Sequence, residues 1–151
     1  MNHEDHDDRE GHEPNASRQY SMRLPSPLTR EAEYIMTETI GCAIRVHRAL
    51  GPGFVEPIYK RAMRVELEAC GLSYECERPV RVKYRDIDIP GQRVDLIIEG
   101  QIIVELKSVV RLDEVHRAQL ISYLRTTGLR GGLLINFRVA VLSRGLRRVV
   151  L

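Results

Sequence analysis

Two acidic residues and a lysine on adjacent apolar segments could form the centre of a metal-dependent hydrolase. Asp95 lies in the segment 94–98, and Glu105 and Lys107 lie in the segment 102–107. Side chains alternate between the two faces of a strand, so Glu105 and Lys107 are expected to share a face. Carboxylates bind hard divalent cations through oxygen, and an ammonium group can stabilise developing negative charge. The alternative interpretation of E-x-K is a solvated strand face.

The loop between these two segments decides whether the acids face each other. With a loop of two residues, 99–100, Asp95 faces away from Glu105, whereas with a loop of three residues, 99–101, the two lie directly opposite. A shift of one residue exchanges the faces of a strand. Three-residue hairpin loops that contain glycine are common, so the sequence allows the catalytic register without requiring it.

Three polar side chains share one face of the next predicted helix. His116, Gln119 and Tyr123 are separated by three and four residues, which is the spacing of neighbours on a helix surface. Gln119 and Tyr123 could donate hydrogen bonds to a phosphate or orient an attacking water. The other interpretation is an amphipathic helix with a polar rim, in which Tyr123 lies half in the core.

Glu56 begins an earlier helix, immediately after a turn with the sequence Gly-Pro-Gly at 51–53. From there its carboxylate could reach a shared cleft, although an acid in the first turn also stabilises a helix on its own. His47 lies near the end of the preceding helix and is predicted to pack there rather than to bind a metal.

The composition is that of one soluble domain, with 43% hydrophobic and 29% charged residues among 151. No apolar segment approaches the roughly 18 residues of a membrane span. The acidic segment 1–13 lacks the apolar centre of a secretory signal. Cys42, Cys70 and Cys76 form no metal-ligand spacing and are predicted to be reduced thiols, which indicates a cytoplasmic protein.

The net charge of +2 conceals two segments of opposite charge. Residues 1–13 carry six acids and one arginine, which leaves +7 on the rest of the chain. No acid follows Glu114, whereas seven arginines do. Such a one-sided basic segment favours a polyanionic partner. The alternative is a basic surface that only maintains solubility.

The chain is predicted to contain a tail and one domain. Residues 1–28 are polar, contain three prolines and lack periodicity, so we predict a disordered tail, with Met22 as an alternative start. The domain at 29–151 is predicted to contain helices at 29–50, 55–70 and 112–127, strands at 74–84, 94–98, 102–107 and 133–137, a turn or bulge at 88–91, and edge strands at 139–142 and 147–151. This order predicts an α/β (α+β) domain with a mixed central sheet flanked by helices and a crossover to a last central strand.

Several blocks of the sequence, in order, resemble the GxxExxY proteins. The motif is Gly53-Phe54-Val55-Glu56-Pro57-Ile58-Tyr59, and further matching blocks lie at 46–54, 104–107, 116–123 and 132–137. The resemblance extends from about residue 30 to the end of the chain. GxxExxY proteins are assigned to the PD-(D/E)XK nuclease superfamily, so the resemblance implies a restriction-endonuclease-like core.

The resemblance also implies roles for the residues singled out above. Asp95, Glu105 and Lys107 match the superfamily signature, although Val94 stands where a proline usually precedes the aspartate. Glu56 matches the acid of the first core helix. A Q-x-x-x-Y element found in some branches of the superfamily is matched by Gln119 and Tyr123.

We therefore predict a Mg²⁺-dependent nuclease, with Mn²⁺ able to substitute. Asp95, Glu105 and the carbonyl of Leu106 would hold the metal, and Glu56 would hold a second metal or bind the first through water. Lys107 would orient the nucleophile or stabilise the transition state. The catalytic set would also include Gln119 and Tyr123.

The predicted partner is nucleic acid, with DNA favoured over RNA, and no membrane. Contacts to phosphates are expected from His116, Arg117, Arg125, Arg147 and Arg148. The oligomeric state stays open, with a homodimer or larger complex as one option. The competing predictions are a catalytically inactive nuclease fold that binds nucleic acid in a regulatory role, and an adaptor whose basic face binds an acidic protein.

Overall fold

The computed structural model describes residues 25–151. The predicted tail therefore lies outside the described residues, apart from 25–28. Leu28 already packs against the core. In the part of the chain that the structure describes, no helix combines the length and the apolar character needed to cross a bilayer.

Two helices come first. Helix α1 (Arg30–Leu50) begins after Thr29, whose side chain accepts a hydrogen bond from the Ala32 amide, and ends at Gly51. Helix α2 (Glu56–Ala69) has a proline in its first turn and buries Tyr59, Met63 and Leu67. Val55 and Ile58, two apolar residues near its beginning, are exposed instead.

A five-stranded mixed sheet follows. Its strands are β1 (Tyr74–Tyr84), β2 (Ile87–Ile98), β3 (Ile102–Lys107), β4 (Gly131–Asn136) and β5 (Leu146–Val150), and helix α3 (Glu114–Thr127) connects β3 to β4. The strands lie in sequence order, with β3 and β4 parallel and the other pairs antiparallel. The crossover through α3 gives β4 an inner position in the sheet, so the predicted α+β order is confirmed.

Two local predictions need correction. Strand β2 begins seven residues earlier than Val94. Of the segment 88–91, only Pro90 and Gly91 form a bulge within it, where the register against β1 shifts between Val80 and Val82. The segment 139–142 is not a strand. The chain turns back there into a 3₁₀ helix, Leu142–Gly145, and His47 fixes the turn by donating a hydrogen bond of 2.8 Å to the Val139 carbonyl.

The sheet separates two apolar clusters. Helices α1 and α2 cover one face, against residues that include Leu96, Val104 and Leu106. Helix α3 covers the other face, against residues that include Ile97 and Ile103. On the first side, the free thiols of Cys42 and Cys70 lie 3.5 Å apart across the contact between α1 and α2.

Tyr59 fixes the start of α2. Its ring is fully buried and stacks on Phe137 at a centroid distance of 4.4 Å. Its hydroxyl donates a hydrogen bond to the Gly51 carbonyl and accepts one from the Phe54 amide. Tyr59 thus fixes the loop between α1 and α2, and this loop positions Glu56, the first residue of α2.

We predict that Tyr59→Phe destabilises the protein by about 0.5–1.5 kcal/mol, because the Gly51 carbonyl and the Phe54 amide lose their hydrogen-bond partner. Urea denaturation measures this change in the free energy of unfolding. The matched control is Tyr34→Phe on the exposed side of α1, for which we expect almost no change. Equal stability of both variants would contradict the role given to the Tyr59 hydroxyl.

Candidate active site

The hairpin between β2 and β3 has the three-residue loop. Ile98 pairs with Ile102, and the Gln101 amide donates a hydrogen bond of 2.9 Å to the Ile98 carbonyl. Glu99 and Gly100 adopt left-handed backbone angles, with φ of 50° and 65°. Continuing this register beyond the paired residues sets Asp95 opposite Glu105, which is the catalytic register that the sequence left open.

Each of the two acids accepts a hydrogen bond from the opposing strand. The Asp95 amide donates to Glu105 Oε1 at 3.0 Å, and the Leu106 amide donates to Asp95 Oδ2 at 2.9 Å. Asp95 is 7% exposed and Glu105 is 3% exposed. At this level the two strands are therefore joined through buried carboxylates. Removing a carboxylate from water costs free energy unless cations or hydrogen-bond donors compensate its charge.

The burial of the two acids shifts the pKa of Glu105. Burial raises the pKa of its carboxyl group to about 8, and the nearby negative charge of Asp95 adds to the rise. The hydrogen bond from the Asp95 amide and the positive charge of Lys107 oppose the shift without cancelling it. A site that resists holding both acids ionised is one that an additional cation would stabilise.

Lys60, one turn after Glu56 in α2, lies among three carboxylates. Its Nζ is 2.9 Å from Asp95 Oδ1, 3.2 Å from Glu56 Oε1 and 3.4 Å from Glu77 Oε1. Burial by itself would lower the pKa of this ammonium group, but the hydrogen bonds and charges of Asp95 and Glu56 raise it above its usual value. Lys60 therefore joins Glu56 to Asp95 of the hairpin.

Glu77 reaches Lys60 from an unusual backbone conformation. It lies in β1 between Cys76 and Arg78, which pair with Leu96 and Val94, so it stands across from Asp95 in the sheet. Its φ is 49°, in the left-handed region that residues with a Cβ rarely adopt. Backbone strain of this kind is concentrated at functional sites.

A chain of hydrogen bonds extends from Lys107 along α3. Lys107 Nζ donates to Gln119 Oε1 at 3.3 Å, and Gln119 Nε2 donates to the Tyr123 hydroxyl at 3.0 Å. The Tyr123 hydroxyl in turn donates to Gln92 Oε1 at 2.7 Å. The structure thus brings together Lys107, Gln119 and Tyr123.

The predicted basic residues occupy different places. Arg117 and Arg125 are exposed on α3, and His116 Nδ1 accepts a hydrogen bond from the Asp113 amide at the beginning of that helix. Arg147 and Arg148 are exposed on the edge strand β5. Arg148 pairs with Glu33 of α1, and Arg147 donates to carbonyl groups of its own segment.

The donor atoms of the site fit a hard divalent cation. Two buried carboxylates, the Leu106 carbonyl and the nearby Glu56 offer oxygen ligands, which Mg²⁺ and Mn²⁺ prefer. Burial and the charge of Asp95 raise the pKa of Glu105, so a bound cation would favour the ionised form of this ligand. Within residues 25–151, however, no three His, Cys, Asp or Glu side chains converge closely enough to form a ready metal cage, and Lys60 lies among the carboxylates instead.

Sequence reasoning missed three residues of this site. Lys60 follows Glu56 by four residues, so helical spacing could have placed the two on one face. Glu77 and Gln92 gave no comparable signal. Glu77 depends on a left-handed backbone in a strand, and Gln92 lies next to the bulge, where simple alternation of faces fails.

Comparison with known proteins adds one finding. A family model described as the PD-(D/E)XK nuclease superfamily matches residues 33–149, which include the described site and the whole sheet except Val150 at the end of β5. The match confirms the superfamily that the sequence resemblance implied, and the mixed sheet flanked by helices is consistent with its restriction-endonuclease-like fold. No curated protein and no solved structure matches the chain significantly.

The raised pKa of Glu105 predicts how stability depends on pH. Between the ordinary value of 4.5 and about 8, the unfolded chain has released a proton that the native carboxyl group still holds, so stability falls as the pH rises through this range. In EDTA, the stability of wild type relative to Glu105→Gln should decline by roughly a few kcal/mol between about pH 5 and pH 8 and then level off.

Urea denaturation at a series of pH values tests this expectation. Asp86→Asn is the matched control, because it replaces an acid by its amide in the exposed β1–β2 turn and should follow the wild-type profile. A constant difference between wild type and Glu105→Gln at all pH values would show that Glu105 is ionised throughout.

Proposed function

The chain belongs to the PD-(D/E)XK nuclease superfamily, and we propose that it is a Mg²⁺-dependent nuclease that hydrolyses phosphodiester bonds of DNA. The observation that carries this proposal is the pairing of Asp95 with Glu105 across the hairpin, beside Lys107. We further propose that it is a GxxExxY protein, since Gly53, Glu56 and Tyr59 complete that motif.

Nucleases of this superfamily generally use divalent metal ions. Asp95, Glu105 and the Leu106 carbonyl would hold the ion, and Glu56 would bind it through water or hold a second one. When bound, the ion would supply Lewis-acid activation of water and positive charge for the phosphate oxygens. The fixed bonds of Asp95 and Glu105 to opposing backbone amides would keep these ligands in place before the ion arrives.

Lys107 would act at the phosphate. It lies two residues after Glu105 on the same strand, so both side chains leave the same face of β3. Gln119 holds the ammonium group, and Tyr123 holds Gln119. An ammonium group fixed in this way would stabilise the negative charge that develops during attack on phosphorus, while Gln119 and Tyr123 would direct it or contact the substrate.

A cleft beside this chain of hydrogen bonds would accept the nucleic acid. It has a volume of about 720 Å³ and lies between β1, β2 and α3, with Gln119 and Tyr123 in its wall and His116 and Arg125 at its rim. With Arg117, these cationic and polar groups would contact phosphates, and Arg147 and Arg148 would extend the basic surface. DNA is favoured over RNA, and a homodimer or larger complex would help to enclose a duplex. The three free cysteines support a cytoplasmic location.

A second candidate is a catalytically inactive nuclease fold that binds nucleic acid. The contact between Lys60 and the acids favours it, because an ammonium group already lies 2.9 Å from Asp95 Oδ1. The two candidates differ in one measurement, which is metal-dependent cleavage.

We predict that Lys107→Ala lowers the rate of plasmid or single-strand cleavage in Mg²⁺ or Mn²⁺ by about 10²–10³-fold, since one donor to developing charge is lost. EDTA should abolish cleavage. Lys83→Ala, which removes an exposed lysine from β1, is the control and should cleave at the wild-type rate. Unchanged cleavage by Lys107→Ala would exclude the proposed site, and no cleavage by wild type would favour the inactive candidate.

We also predict that Arg117→Gln and Arg125→Gln weaken DNA binding and make it less sensitive to salt. Each lost phosphate contact should reduce the slope of log affinity against log salt by about 0.7–0.9, as measured by fluorescence anisotropy in EDTA. Arg30→Gln, at the exposed beginning of α1, is the control with a change of the same charge. If all three variants have the same slope of log affinity against log salt, Arg117 and Arg125 of α3 do not contact the DNA.

A further inference from the structure

The position of Lys60 suggests how many ions the site can hold. Its ammonium group bridges Asp95 and Glu56, at 2.9 Å and 3.2 Å. In sites with two metal ions, the ions lie about 3.5–4 Å apart and stabilise both the attacking and the leaving oxygen. A second ion held by Glu56 beside Asp95 would have to lie where the Lys60 ammonium group now lies.

Moving Lys60 away from this position would be costly. Its side chain is 28% exposed and contacts three carboxylates, including Glu77, so departure breaks three ion pairs in a partly buried place. The backbone of α2 cannot easily retreat either. Its first turn is fixed by the buried Tyr59, the residue before Lys60.

The other side of the site is different. Lys60 contacts Oδ1 of Asp95, whereas the Leu106 amide contacts Oδ2. Glu105 lies on β3, whereas Glu77, which Lys60 also contacts, lies on β1, and β2 with Asp95 runs between them. Lys107 follows Glu105 by two residues on β3, and its ammonium group donates to Gln119 at 3.3 Å. Among the described residues, Lys60 therefore already supplies a cation to Asp95 and Glu56, whereas Glu105 forms no ion pair.

We propose that Lys60 takes the place of a second metal ion, so that the site holds one divalent ion at Glu105 and Asp95 and a fixed ammonium group between Asp95 and Glu56. This inference rests on the proposed metal site and makes it more specific. Glu77 is then a positioning residue, since its strained backbone directs a third carboxylate at Lys60. Glu56 would hold Lys60, or a water molecule bound to the ion, and would not bind a second ion.

The test counts Mn²⁺ ions bound to the full chain, by calorimetry and by electron paramagnetic resonance of free Mn²⁺. We expect one ion in wild type and two in Lys60→Met, which keeps most of the length of the side chain and removes the charge. Lys60→Arg keeps the charge and should bind one. Lys83→Met, at an exposed position of β1, is the matched control and should also bind one.

Each outcome decides a different point. Two ions in wild type, or a single ion in Lys60→Met at any affinity, would overturn the inference and leave the proposed nuclease site intact. No Mn²⁺ bound by either protein would overturn both. If circular dichroism shows that Lys60→Met is unfolded, Lys60→Gln serves in its place, with the same expected count of two.

Discussion

The site depends on the exchange of hydrogen bonds between the carboxylates and the backbone of β2 and β3. Asp95 and Glu105 each accept a hydrogen bond from an amide of the other strand, so both acids are held where the strands would otherwise continue a regular ladder. This arrangement buries two like charges close together, which is unfavourable unless positive charge is nearby. The surrounding elements supply that charge from two sides, with Lys60 at Asp95 and Lys107 at Glu105.

The two helical layers have separate tasks in supporting this pair. Helix α2, on one face of the sheet, delivers Glu56 and Lys60, and its first turn is fixed by the hydroxyl and the stacked ring of Tyr59. Helix α3, on the other face, delivers Gln119 and Tyr123, which hold Lys107 through side-chain hydrogen bonds. The site therefore lies where both layers reach the same end of the hairpin. A change in the packing of α2 would move Glu56 and Lys60, whereas a change in the packing of α3 would move the residues that hold Lys107.

Local signals in the sequence were sufficient for most of this framework. The N-cap at Thr29, the glycine at the end of α1 and the apolar segments 94–98 and 102–107 of β2 and β3 follow rules that act over a few residues. Features that depend on contacts between distant segments were not predictable in the same way. The segment 139–142 has apolar residues suited to a strand, but the bond from His47 to Val139 and the tight approach of Gly145 to the Asn136 carbonyl turn the chain instead. Likewise, the sequence was compatible with both hairpin registers. The positive φ of Glu77 is not indicated by any local sequence pattern.

The spacing of Glu56, Tyr59 and Lys60 has a physical explanation in α2. Residues three apart lie on neighbouring faces of a helix, so Tyr59 can enter the core while Glu56 stays at its edge and points toward the hairpin. Residues four apart lie above one another, which aligns Lys60 with Glu56. Tyr59 fixes the loop through Gly51 and Phe54, and this bond sets where the helix begins. The short motif therefore couples the beginning of a helix to the electrostatics of a site on the adjacent sheet, because the buried ring and the charged pair belong to the same turn.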